Sequence, residues 1–175
     1  MVRVTAPIDL RKLFLRVGDQ TEDVFDAELG SLELGGQTYK PEPSTAPATV
    51  TFTRTTSGLV FRLQLGARLT GPCFRCLEGS ELVLQIDATE YEDADAGDAE
   101  ELQTTYVEDQ RLDLAAWAHD AVALAVPEKI LCVPDCAGLC PQCGTDLNRE
   151  TCDCTPPSPQ NRWQKLEALR EQLAE

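Results

Sequence analysis

The spacing of apolar residues predicts an α+β fold: an antiparallel β-sheet core with a few helices and a C-terminal cysteine-rich module whose ligand spacing suits zinc. Leu59, Phe61, Leu63, Leu65, Ala67 and Leu69 alternate with Arg62, Gln64 and Arg68, the period-two pattern of a half-buried antiparallel strand. Leu114, Trp117, Ala118, Ala121, Val122 and Ala125 recur instead at helical spacing, after an Asp113 suited to the N-cap. Six of the eight cysteines then crowd into residues 132–154. With 175 residues and 42% hydrophobic content, the chain can bury a core without disulfides to support it.

Taken in order, residues 4–15 open with a short β-like run, after which Asp9 can cap a brief helix holding Leu10, Leu13 and Phe14. Residues 24–39 are short apolar pieces broken by Gly30 and the Gly35-Gly36 pair, read as strands and turns. Residues 40–48, with Pro41, Pro43 and Pro47, read as a loop. A strand over 49–55 places Val50 and Phe52 on one face, and Thr56, Ser57 and Gly58 turn the chain into the long alternating run. Leu82, Leu84, Ile86 and Ala88 alternate back, so Cys73 and Cys76 lie at a hairpin tip. A further strand is expected over 102–107, then the helix begun at Asp113 and stopped by Pro127. Residues 155–159 form a proline-rich hinge. Residues 161–175 read as an amphipathic helix with Trp163 as its anchor into the core, beside Leu166, Leu169 and Leu173. The expected organisation is a core domain over 1–131, a cysteine-rich module over 132–154, and a hinge and helix over 155–175.

Eight thiols suffice for two four-cysteine sites: Cys73, Cys76, Cys132, Cys136, Cys140, Cys143, Cys152 and Cys154. Structural zinc is closed by four ligands in a tetrahedron, and two residues between ligands let a tight turn aim both sulfurs at one ion. Cys140-Pro-Gln-Cys-Gly144 has this form, with a glycine that permits the turn. Cys152 and Cys154 are two apart, so an extended segment presents both on one face. One grouping therefore joins Cys140, Cys143, Cys152 and Cys154 locally and leaves Cys132 and Cys136 for Cys73 and Cys76. The rival grouping joins Cys73 and Cys76 with Cys140 and Cys143, and Cys132 and Cys136 with Cys152 and Cys154. Disulfides belong to oxidising compartments, whereas residues 1–20 carry Arg3, Asp9, Arg11, Lys12 and Arg16 and do not resemble a secretory signal. No stretch approaches the roughly 20 apolar residues of a membrane helix. The expectation is a cytoplasmic protein with two structural zinc ions; four thiolates would also accept an iron–sulfur cluster.

Catalysis is not expected. The single histidine, His119, falls beside the apolar stripe of its helix, and no set of nucleophile, base and orienting group is visible. Charge is more telling: 30 acidic residues against 15 basic give a net of -15, and eight thiolates around two dications would take it to about -19. Such a field repels a phosphate backbone and favours a basic protein partner. Residues 90–101 carry Glu90, Glu92, Asp93, Asp95, Asp98, Glu100 and Glu101 with no basic residue, which reads as a solvated loop or a docking segment for a cationic tail.

Several of these stretches together resemble one family. Gly71-Pro-Cys-Phe-Arg-Cys-Leu77, Arg111-Leu-Asp-Leu114 leading into a helix that ends at Val126-Pro127, and Cys136-Ala-Gly-Leu-Cys-Pro-Gln-Cys-Gly-Thr-Asp-Leu-Asn148 closed by Cys152-Asp-Cys154 resemble the bacterial YceD family of large ribosomal RNA subunit accumulation proteins. The resemblance runs from about Leu59 to the terminal helix. It implies a bacterial-type cytosolic factor that supports accumulation of large-subunit ribosomal RNA or its precursor, and it does not imply a known enzyme. It also implies, from gene neighbourhoods common in the family, a small basic ribosomal protein of the large subunit as partner. Enteric members keep the equivalents of Cys73 and Cys76 but lack the CPxCG portion, which makes the second site a reinforcement. Asp146 stands where asparagine is common.

Three functions follow as expectations: a ribosome-biogenesis factor binding a basic ribosomal protein or a pre-large-subunit particle, a direct RNA-binding zinc protein using Arg62, Arg68, Arg75 and Arg149, or a thiol redox sensor.

Overall fold

The computed structural model of the chain describes residues 7–93 and 103–155. Two compact units divide the chain, Met1–Cys136 and Ala137–Glu175. The first unit holds nine strands and one α-helix among the described residues: β1 (Ile8–Asp9), β2 (Gln20–Glu28), β3 (Leu32–Leu34), β4 (Gln37–Pro41), β5 (Thr45–Arg54), β6 (Gly58–Pro72), β7 (Gly79–Asp93), β8 (Val107–Glu108), β9 (Arg111–Leu112) and α1 (Leu114–Ala125). Among the described residues the fold is thus mostly antiparallel β-sheet with one α-helix, where a few helices were expected.

The centre of the sheet is β6. Leu59, Phe61, Leu63, Leu65, Ala67 and Leu69 are all buried, as the alternation requires, while Arg62, Gln64 and Arg68 face out. β7 pairs with β6 without interruption from Pro72↔Gly79 to Gly58↔Asp93. On the opposite edge β6 takes β5 through Leu59 to Leu65 and β4 through Leu69 and Thr70. β2 completes the sheet beyond β5, and β3 beyond β4. A small second sheet runs β1-β9-β8.

The core lies between this sheet and α1. Asp113 caps the helix by accepting from the Ala116 N–H at 3.0 Å, and Leu114, Trp117, Ala118, Ala121 and Val122 are buried beneath it. Phe61 meets Phe52 edge-on at 5.8 Å and Trp117 at 6.5 Å, and Trp117 stacks on Tyr106 at 6.3 Å. Burying each of these side chains contributes roughly 1.5–3 kcal/mol before entropy is counted.

Four local expectations need correction or fall elsewhere. The N-terminal helix is a single 3-10 turn, Leu10–Lys12, capped by Asp9; Leu13 is already extended and Phe14 is 93% exposed, because the short apolar pattern has no second turn to continue it. The proline-rich stretch is not a loop throughout. β4 runs to Pro41 and β5 starts at Thr45 and includes Pro47, since proline's fixed φ suits extended backbone and only its missing N–H disfavours it there. The strand expected over 102–107 shrinks to Val107–Glu108: the Thr104 N–H and hydroxyl instead donate to Glu92 and Glu90, each at 3.0 Å, and turn the chain. The C-terminal helix with Trp163 and most of the acidic run beyond Asp93 lie outside the described residues.

Candidate metal centres

Two turns of the same form build the two centres. After Cys73, the Leu77 N–H donates to the Cys73 carbonyl at 3.0 Å and the Cys73 N–H to the Glu78 carbonyl at 2.7 Å. After Cys140, the Gly144 N–H donates to the Cys140 carbonyl at 2.9 Å and the Cys140 N–H to the Thr145 carbonyl at 2.8 Å. Each turn needs a left-handed residue four positions after its first cysteine, Leu77 at φ 63° and Gly144 at φ 75°. The first turn is the tip of the β6–β7 hairpin. The second is enclosed by a short antiparallel bridge between Leu139 and Asp146.

The remaining cysteines come to these turns on separate strands of chain. The Phe74 N–H donates to the Ile130 carbonyl at 2.8 Å, which lays the segment after α1 against the hairpin tip and delivers Cys132 and Cys136. Arg75 reaches across to the Cys136 carbonyl at 2.6 Å, and Lys129 lies over the Phe74 ring at 5.7 Å. In the second unit the Ala137 N–H donates to Asn148 Oδ1 at 2.7 Å, and Asp146 accepts from the Asn148 N–H and side-chain amide at 3.0 and 2.7 Å. The Gln142 side chain donates to the Thr155 carbonyl, beside Cys152 and Cys154.

The result is two clusters, Cys73, Cys76, Cys132 and Cys136 in the first unit and Cys140, Cys143, Cys152 and Cys154 in the second, each with its sulfurs within 4.8 Å of one another. The rival grouping is not formed. Cys132 and Cys136, expected as part of a module over 132–154, belong to the first unit. No pair is bridged: Cys76 and Cys132 sulfurs are 3.5 Å apart and Cys73 and Cys136 sulfurs 3.7 Å, against about 2.0 Å for a disulfide. A tetrahedral ion with sulfur ligands at about 2.3 Å separates them by about 3.8 Å. The donor set and spacing therefore fit a thiolate-bound metal ion in each cluster.

Electrostatics points the same way. Burial raises the Cys73 thiol, but N–H groups of Cys76, Arg75 and Cys132 directed at it outweigh this and bring it down to about 6. Its neighbour Cys132, beside the Cys76 sulfur and partly desolvated, is pushed up to about 12. In the second cluster the Thr145 hydroxyl and N–H lower Cys143 to about 6, while the Cys143 sulfur and burial push Cys154 up to about 12. Four sulfurs this close cannot all ionise unaided, because each thiolate opposes the next; a dication among them removes the conflict.

The arginines expected to gather for RNA are already engaged. Arg62 pairs with Asp87 at 2.6 Å, Arg68 with Glu81 at 3.2 Å, Arg75 with the Cys136 carbonyl and Arg149 with Asp146 at 3.4 Å. His119 contacts Asp120 at 3.1 Å on the half-exposed side of α1. What sequence reasoning missed is Leu77 in a glycine position, visible only by aligning the two turns on their first cysteines.

Residues 61–170 match the family described as Large ribosomal RNA subunit accumulation protein YceD. The chain belongs to the YceD family. Among curated relatives, uncharacterised proteins of Mycobacterium tuberculosis and Mycobacterium bovis are each 37% identical over 97 residues, covering 53% of this chain and 47% of theirs. An Arabidopsis thaliana protein named Large ribosomal RNA subunit accumulation protein YCED homolog 1, chloroplastic, is 31% identical over 64 residues, covering 37% of this chain and 20% of its own. The chain thus spans about half the length, or less, of the curated relatives it matches. No solved structure matches it. The YceD match covers most of β6 and all of β7, α1 and both cysteine clusters. Among the described residues no helix is long and apolar enough to cross a membrane.

Proposed function

We propose that the chain is a non-enzymatic ribosome-biogenesis factor of the cytoplasm. It supports accumulation of large-subunit ribosomal RNA by binding a basic ribosomal protein or a pre-large-subunit particle. Each cysteine cluster holds one structural zinc ion, the first fixing the hairpin tip against the segment after α1 and the second closing the small C-terminal unit.

The observation that carries this reading is the YceD match over residues 61–170, which takes in the hairpin and both clusters. Charge supports a protein partner: the net of -15 attracts a cationic protein and repels a phosphate backbone. Zinc is favoured by four thiols at tetrahedral spacing around glycine-type turns, with no position left for water or substrate. The test is genetic and biochemical together. Deleting the gene in its own host lowers the ratio of large- to small-subunit ribosomal RNA, and the tagged protein sediments with pre-large-subunit particles. An unchanged ratio overturns the proposal.

A further inference from the structure

One edge of the main sheet is open, long and of a single sign. Among the described residues β7 pairs only with β6. The phase of its ladder follows from three bonds: Cys73 N–H to the Glu78 carbonyl at 2.7 Å on the β7 side, and Thr55 N–H to the Gly58 carbonyl and Glu42 N–H to the Arg68 carbonyl, both at 2.9 Å, on the other side of β6. In an antiparallel pair each residue directs its backbone groups to one side only, alternately. With the register unbroken, Ser80, Leu82, Leu84 and Ile86 bond to β6, while Glu81, Val83, Gln85 and Asp87 turn N–H and C=O outward. The side chains of those same four residues stand on the solvent face, and Val83 is 59% exposed.

Charge selects what can pair there. From residue 79 to 110 the sequence has no lysine or arginine, and Glu81 and Asp87 flank Val83 along the open edge. A free edge invites pairing with any extended chain, a second copy included. Carboxylates of one sign make pairing between copies repulsive and admit a cationic strand. Arg68 and Arg62 contact Glu81 and Asp87, but these carboxylates are about half exposed, and exposed pairs are weak enough to be shared with an incoming cation.

We infer that the outer edge of β7, over residues 81–87, takes up an extended cationic segment of another protein as an added strand. Backbone amides supply the attachment, Lys or Arg at alternate positions share the solvent face with Glu81 and Asp87 and reach both, and the residues between them turn to the opposite face. The inference rests on the proposed reading that the partner is a basic protein, and names how that partner binds.

The test uses the full chain with a labelled peptide of alternating lysine and valine, and the same peptide methylated on its backbone nitrogens, which keeps the charge and lacks N–H donors in either strand direction. The first peptide binds and the second binds at least about tenfold more weakly. Val83→Pro and Gln85→Pro each remove an outward N–H while sparing the bonds to β6, and each weakens binding about tenfold. In amide exchange on the unaltered protein, Glu81, Val83, Gln85 and Asp87 slow on adding the peptide; this readout stands even if a proline variant fails to fold. Equal binding of both peptides, full binding by a folded Val83→Pro variant, no binding at all, or no slowing of those amides overturns the inference. Association with pre-large-subunit particles that survives Val83→Pro removes the strand addition and leaves the assembly role standing. An unchanged ribosomal RNA ratio in the deletion strain removes that role instead.

Discussion

Leu77 and Gly144 occupy the same position in the two cysteine turns, at φ 63° and 75°. Glycine accepts this backbone freely, whereas a side chain there costs roughly 1–2 kcal/mol. Leu77 is also 57% exposed, so burial does little to offset that cost.

Leu77→Gly is therefore expected to leave the first unit about as stable as before, within about 1 kcal/mol, because relieved strain offsets the greater freedom of glycine in the unfolded chain. Gly144→Leu introduces the same strain and is expected to destabilise the second unit by about 1–2 kcal/mol. Urea titrations followed by amide exchange in each unit check both.

The separation of the clusters gives a second prediction. Cys140→Ser is expected to increase amide exchange across residues 137–155 and leave β6 and β7 protected. Cys73→Ser frees the segment carrying Cys132 and Cys136 from the hairpin tip and is expected to lower the melting temperature of the main unit. Equal global unfolding by both variants would contradict the grouping.

A third concerns the core. Phe61→Ala opens a cavity between Phe52 and Trp117 and should cost about 3–5 kcal/mol. The Trp117 indole N–H is buried without a partner, so Trp117→Phe loses volume but also removes an unmet donor. Its cost is expected to be well below that of Phe61→Ala, as thermal melts of the two variants would show.

Acid sensitivity follows from the carboxylates. The Arg62 guanidinium holds Asp87 below its ordinary value of 3.8, and in the second unit the Asn148 N–H does the same for Asp146. Both carboxylates are favoured charged in the fold, so their stabilisation is complete above 3.8 and fades as pH falls through the lowered values. Asp87→Asn is expected to lower the main unit's stability slightly at pH values above 3.8, where the charged carboxylate contributes, and to flatten the acid limb so that variant and parent converge as pH falls below it. Asp146→Asn keeps the acceptor for Asn148 and should do the same for the second unit only.

Much of this molecule was legible in its residues, for definite physical reasons. Burial on one face imposes a strict period on a strand, so Leu59 through Leu69 named both the central strand and its buried side. The Asp113 cap and the apolar stripe fixed α1 equally well. Local spacing resolved the Cys140–Cys143 turn because its glycine is a necessity of the backbone. Long-range choices were less legible. Cys132 and Cys136 are bound to the hairpin tip through a bond from Phe74 to Ile130, and nothing local to either cysteine announces it. Prolines misled at residues 40–48, since Pro47 sits within β5 opposite Asp26. Thr104 misled because its bonds to Glu90 and Glu92 replace a ladder that its sequence would allow.

The central claim is that two all-cysteine clusters each hold a zinc ion. Elemental analysis of protein purified under reducing conditions, with thiol titration before and after denaturation, tests it most directly. Two zinc ions per chain and eight thiols that react only after denaturation are expected. Metal-free protein with freely reactive thiols, or with thiols already paired as disulfides, would contradict it.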